Sequence, residues 1–165
     1  MTLRIAKTAL VLAVAFFYSV VTFNNITDYD SNYQFVRHAL MMDSTFPNNH
    51  LMWHSLNPPT IHTIFYISII LWESITMMLC WWGAIRLARA VTTTAATFNQ
   101  AKRMSIAALT LGLLMWLVAF LTVGAEWFLM WQSKTWNGQE PAFRMFTIIG
   151  IILIFLALPD TDPQP

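Results

Sequence analysis

From Met104 to Ala125 the chain carries no charged residue. A run of that length is enough to cross the hydrocarbon core of a bilayer as a helix, and no other feature restricts the possible folds so strongly. Three more apolar runs accompany it. Ile5 to Phe23 follows Arg4 and contains Lys7, whose aliphatic stem lets the ammonium snorkel to the interface while Thr8 to Phe23 continues inward. Ile61 to Ile85 has Glu73 as its only charge and leads into Arg86 and Arg89. The last, Met145 to Leu158, reaches the length of a span only when Ala142, Phe143 and a snorkelling Arg144 are added, so an interfacial or re-entrant helix is the alternative there.

Of the 165 residues 57% are apolar and only 10% charged, with a mean hydropathy of +0.55. So little polar surface cannot coat a soluble domain of this size, and the solvent for most of the chain is lipid. Disordered and nucleic-acid-coating proteins are excluded, and a net charge of +1 gives no field that would recruit nucleic acid. In hydrocarbon the backbone must satisfy its own hydrogen bonds, and these runs are too long and too little alternating for barrel strands. The expected fold is an all-α membrane protein. It is a single domain, a bundle of four transmembrane helices over about 5–23, 61–85, 104–131 and 142–158, with an ordered loop over 24–60. Trp81 and Trp82 at one end, and Trp127, Trp131 and Trp136 at another, read as interfacial belts.

The first run ends in Phe17-Tyr-Ser-Val-Val-Thr-Phe23 without the small residues of a signal-peptidase site, so it reads as an uncleaved anchor. The lone Cys80 excludes an internal disulfide and any CxxC motif. Basic residues set the orientation. Arg4, Lys7, Arg86, Arg89, Lys102 and Arg103 fall on one side, against Arg37, Lys134 and Arg144 on the other. The positive-inside rule then makes both termini cytoplasmic and places the 24–60 loop outside.

Glu73 lies near the middle of its span, where a carboxylate is costly unless protonated or paired. His62, Tyr66, Ile69, Glu73, Thr76 and Cys80 follow steps of three and four and so share one helix face. Two readings stand: a proton or cation path, or the site of a polar head group; and a carboxyl bonded to a neighbouring helix as packing glue. In the third span Ser105, Ala108, Gly112, Met115, Ala119, Thr122 and Glu126 recur at the same spacing, mostly small, as a helix-packing face would. Glu126, near the tryptophan belt, is expected to meet Arg144 or Lys134.

The 24–60 loop holds His38, His50 and His54 with Met41, Met42 and Met52, a weak candidate set for a soft metal or zinc. His50 and His54 would share a face if Asn48 capped a short helix. No carboxylate or cysteine completes the spacing, so no metal and no cofactor are expected. Asp28, Asp30 and Asn32 begin like a calcium loop, but Tyr33 stands where glycine is needed and Ala39 where a glutamate belongs. Asn25-Ile-Thr27 forms a glycosylation sequon too close to the membrane to carry weight. No nucleotide loop, nucleophile elbow or catalytic triad is present, so the chain is not expected to be an enzyme.

Two blocks carry a resemblance. One is Asn25-Ile-Thr-Asp-Tyr-Asp-Ser-Asn32 with Phe35-Val-Arg-His38 and Met42-Asp-Ser-Thr-Phe-Pro47. The other is Gly124-Ala-Glu-Trp-Phe-Leu-Met-Trp-Gln-Ser133 with Trp136-Asn-Gly-Gln139 and Ala142-Phe-Arg144. The chain resembles a bacterial family of predicted small integral membrane proteins (domain of unknown function 2165). The resemblance implies a multi-pass protein of the bacterial inner membrane and no transferable activity. Both blocks fall on the outer side of the expected topology, so they are expected to pack into a cap. Its residues include Asn25, Asp28, Tyr29, Asn32, Arg37, His38, Asp43, Glu126, Trp127, Trp131, Trp136, Asn137 and Arg144. Asp28, Asp30, Asp43 and Glu126 nearly balance Arg37, Lys134 and Arg144, and a network of partly buried ion pairs is expected to hold the cap. The favoured function is a non-enzymatic accessory or interaction subunit. Its partners are the lipid bilayer and either another membrane protein or a second copy of the chain, not nucleic acid. The alternative is a transport or redox component centred on Glu73, handling protons, a cation or a quinone-like head group.

Overall fold

The computed structural model describes residues 1–162; in the sequence Pro159 and an acidic tail, Asp160–Pro165, stop the last apolar run, and the last three positions of that tail lie outside the described residues. Five α-helices occur in chain order: α1 (Thr2–Thr27), α2 (Tyr29–Met41), α3 (Pro59–Ala90), α4 (Ala95–Leu114) and α5 (Gln139–Ala157). Helix α4 runs directly into a π-helical segment, Met115–Trp127, and single 3₁₀ turns occupy Met52–His54 and Met130–Gln132. Among the described residues there is no β-strand. Four helices are long and apolar enough to cross a membrane: α1, α3, the continuous helix Ala95–Trp127, and α5. The protein is an all-α, four-helix membrane bundle.

Several bounds differ from those expected. Helix α5 has 19 residues because Gln139, Glu140 and Pro141 form its first turn, where proline's missing N–H is harmless. That gives it a length of about 28 Å at 1.5 Å per residue, close to the hydrocarbon thickness. The segment expected as a loop over 24–60 begins with the last turn of α1 and then forms α2. Asp28 stands at the N-cap position and Asp30 in the first turn, where negative charge suits the helix dipole. Helix α2 ends at Met42, which takes the left-handed conformation at φ 55°. No α-helix starts at Asn48. That residue sits in a turn at φ 62°, and only one 3₁₀ turn forms at Met52–His54, so His50 and His54 do not share an α-helical face.

On α3, His62, Tyr66, Glu73, Thr76 and Cys80 are each at most 2% exposed, while Ile64, Ile67, Leu71, Ile75 and Met78 are open to the surroundings. The polar stripe is therefore the face that α3 buries, and the helix turns its aliphatic side to lipid. The stripe read along the third span holds only in its first half. Ser105, Ala108, Gly112 and Met115 are buried, Ala119 is half-buried, and Thr122 and Glu126 are exposed. The cause is the change of pitch. In the π segment the hydrogen bonds reach five residues back, as in Phe128 N–H to the Val123 carbonyl at 3.0 Å and the Thr122 hydroxyl to the Leu117 carbonyl at 2.9 Å. A face counted in steps of three and four drifts off such a helix, and Ala125 is buried while Thr122 turns outward.

The chain divides into two compact units. The first comprises Met1–Thr22, Glu73–Leu113 and the stretch from Thr147 onward. Its helices meet at small residues: a Cβ on Gly83 would lie 2.8 Å from the Ser105 amide nitrogen, so α3 and α4 approach backbone to backbone. The second comprises Phe23–Trp72 and Leu114–Phe146. Its core gathers Leu40, Met42, Phe128 and Leu129, with Val36, Leu56, Phe65 and Val123 packed around them.

Candidate functional site

The first unit contains Glu73 with Thr76 and Cys80. Thr76 follows Glu73 by one turn, and its methyl group and the Tyr18 hydroxyl both press on Gly112, where a Cβ would stand 3.3 Å and 2.6 Å from them. Tyr18 is fully buried. The unit thus holds a carboxyl and two hydroxyl groups away from lipid on facing helices. His62 and Tyr66 belong to the other unit and serve its architecture. The Tyr66 hydroxyl donates to the Asn25 carbonyl at 3.1 Å, and Tyr29 packs edge-on against the Tyr66 ring at 4.7 Å. His62 Nε2 lies 2.7 Å from the Leu56 carbonyl, an acceptor only, so Nε2 carries a proton, and Nδ1 is buried with no hydrogen-bond partner among the described residues.

In the second unit the 24–60 and 127–139 segments do pack together, through neutral contacts more than charges. His38 stacks on Trp136 at 4.6 Å and is fixed by Asp43, Nδ1 to Oδ2 2.6 Å. Phe35 meets the same indole edge-on and leaves no room for a side chain at Gly138, where a Cβ would lie 2.8 Å from its ring. His54 stacks on Trp127 at 4.1 Å, nearly parallel, with Nδ1 2.6 Å from the Trp127 carbonyl. Trp53 lies edge-on to His54 at 4.0 Å, and Phe46 edge-on to Trp131 at 5.7 Å. The Ser44 hydroxyl donates to Ser133 at 2.7 Å, the Phe46 amide to the Gln132 side-chain carbonyl at 3.0 Å, and Asn32 to the Asn25 side-chain carbonyl at 2.7 Å. The Asn137 side-chain carbonyl accepts from the Gln139 amide at 3.0 Å, just before α5.

The expected ion-pair network is corrected. Within this unit the described residues bring one base to an acid, His38 to Asp43, a hydrogen-bonded contact that is an ion pair only with the imidazole protonated. Asp28 accepts from Ser31, Asp30 from Gln34, and Arg37 donates to Gln34. Glu126, Lys134 and Arg144 are exposed and form no ion pair among the described residues. Stacked rings and neutral hydrogen bonds carry no charge-desolvation cost, and the charges remain in the polar surroundings. The same contacts account for two of the three loop histidines, and His50 is exposed. Among the described residues no three His, Cys, Asp or Glu side chains come together as metal ligands.

The second unit also encloses a partly open cavity of about 250 Å³. Helix α2 contributes Phe35 and Leu40, α3 contributes Phe65, and the π segment contributes Phe120, Val123 and Gly124.

Sequence reasoning missed a cluster in the first unit. Lys7 does not snorkel: its side chain is 3% exposed, and Nζ donates to the Leu158 carbonyl and to Asp160 Oδ2, both at 2.7 Å. Lys102 bonds the same carboxylate oxygen and the same carbonyl, and is also held by the Asn99 side-chain carbonyl at 2.7 Å. Arg4 reaches the Thr93 carbonyl at 2.6 Å and Asp162 at 3.0 Å. Burial alone would raise the Asp160 pKa, but the hydrogen bonds from Lys102 and Lys7 outweigh it and hold the carboxyl below its ordinary value. The available signal was the pairing of an acid directly after Pro159 with basic residues inside two apolar helices.

Comparison with curated proteins gives no match, and comparison with solved structures gives none. A family profile described as predicted small integral membrane protein (DUF2165) matches residues 3–159, nearly the whole chain, and the protein belongs to that family.

Proposed function

We propose that this protein is a non-enzymatic accessory subunit that docks through its cap onto another membrane protein or a second copy of itself. One observation carries the reading: Trp53, His54 and Trp127 pack ring against ring and yet the two indoles stay open to the surroundings. Trp53 is 71% exposed and Trp127 49% exposed, although both contact His54, itself fixed by the Trp127 carbonyl. Large aromatic groups held in place before binding lose little freedom on association, which is why tryptophan is enriched where partners bind most strongly. The remainder of the cap is bonded into one shape, as a docking surface requires. The proposed setting is the bacterial inner membrane, with both termini cytoplasmic and the cap outside, from the distribution of basic residues.

The test is a photo-crosslinking residue at position 53 in intact membranes, with the same residue at the lipid-facing Ile151 as control. The reading expects one discrete protein adduct at 53 and none at 151. Lipid adducts alone at both positions would overturn it. A second reading, proton or cation handling, is supported by the burial of Glu73 beside Thr76 in the unit that also buries Tyr18. Glu73→Gln separates the two. The accessory reading expects the adduct at 53 and the cellular phenotype to survive it, whereas transport expects the phenotype to vanish with the adduct intact.

A further inference from the structure

Protein interiors contain few voids larger than a water molecule, and a cavity of about 250 Å³ exceeds an engineered site of ~150 Å³ that admits benzene. Water does not suit this one. A buried water needs several polar partners, and the lining offers aliphatic and aromatic carbon. Ser68, the one hydroxyl residue on its wall, donates to the Ile64 carbonyl at 2.7 Å.

The backbone around the cavity departs from regular geometry at three points. The wall at Phe120, Val123 and Gly124 is π-helical, a wider and less stable winding that recurs at functional sites. Met42 and Leu129, in the adjoining core cluster, both hold left-handed conformations, at φ 55° and 53°, which bulky side chains adopt only under constraint. The chain retains irregular backbone beside an apolar space.

We infer that this cavity is a binding site for the hydrocarbon tail of a membrane lipid. The volume falls below that of pockets for whole drug-sized ligands, so it takes the end of a single chain and leaves the head group outside. The bilayer supplies such chains at high local concentration, and the aromatic lining is as compatible with a methyl-branched prenyl tail as with a straight acyl tail.

The experiment uses the full chain in nanodiscs of phosphatidylethanolamine and phosphatidylglycerol, doped in one arm with a phospholipid bearing a diazirine near its acyl terminus. The other arm uses a polyprenyl phosphate bearing the same group. After irradiation, adducts are mapped by peptide mass spectrometry. Enriched adducts on the Phe65 or Phe120–Gly124 peptides, relative to the lipid-facing Ile151 peptide, support the site, and the arm that produces them identifies the tail. Ala39→Phe, which fills the cavity from α2, is expected to abolish these adducts while leaving those at Ile151. Ala119→Leu fills it more gently from the π segment and serves if Ala39→Phe lacks a cooperative thermal transition. Cavity labelling no greater than at Ile151 in both arms, or unchanged in a folded filling variant, overturns the inference.

Discussion

At the residue scale the smallest side chains have the clearest consequences. The small-residue spacing on the third span predicted a close helix approach, and Ser105 takes part in one; its partner, Gly83, gave no comparable signal because a lone glycine in an apolar helix has many uses. A Cβ at Gly83 would fall 2.8 and 2.9 Å from Ser105 backbone atoms, which cannot swing aside as a side chain can. Gly83→Ala is therefore expected to cost about 1–3 kcal/mol, the range for overpacking. Gly150→Ala meets only the Leu113 methyl at 3.5 Å and is expected to be near neutral. Thermal unfolding of the two variants in the same detergent checks the pair; equal losses would mean that the α3–α4 contact is looser than described. Glu73 was legible from one fact, a charge amid lipid-facing residues, but its neighbours were not. Sequence spacing gives the face of one helix and says nothing of which residue of another helix meets it, so the approach of Tyr18 and Thr76 to Gly112 could not be named beforehand.

At the element scale, the reading succeeded where one physical rule dominated and failed where two competed. The four spans follow from exclusion of charge over long runs. Helix α2 was hidden because Phe35, Val36, Ala39 and Leu40 repeat at helical spacing within a segment whose polar residues suggested a loop. The π segment has no compositional mark at all, and it turned Thr122 off the buried face. The C-terminal segment after α5 is the other surprise. Asp160 sits between the Lys7 and Lys102 ammonium groups and ties the chain end to α1 and α4. Since its pKa in the folded protein is below the ordinary carboxylate value of 3.8, its contribution to stability is complete above that pH and is lost as the pH falls below it. Asp160→Asn leaves two buried ammonium groups without their carboxylate and is expected to cost about 3–5 kcal/mol at neutral pH. Relative to the wild type, the penalty should shrink in acid. Melting curves of both proteins between neutral pH and pH 3 measure this, and a penalty independent of pH would show that the carboxylate charge is not what holds the segment.

At the scale of the whole molecule, orientation rests on basic residues, and the fold changes what they do without changing their count. Arg4, Lys7, Arg86, Arg89, Lys102 and Arg103 all belong to the unit that also contains the start of α1 and the segment after α5; Arg37, Lys134 and Arg144 belong to the other. Three of the six engage Asp160 or Asp162, but acidic residues weigh little in topology, so the pairing leaves the bias in place. The proposed orientation can be tested because the only native thiol, Cys80, is fully buried and gives a silent background. A cysteine replacing the exposed His50, in the cap, is expected to react with a membrane-impermeant maleimide on intact spheroplasts. A cysteine replacing the exposed Thr92, between α3 and α4, is expected to react only after the membrane is opened. His50→Cys also removes an exposed loop histidine that has no side-chain hydrogen bond or ion pair among the described residues, so its labelled form should retain the crosslink from position 53. The reverse labelling pattern would place the aromatic cap in the cytoplasm and direct the search for its partner to soluble proteins.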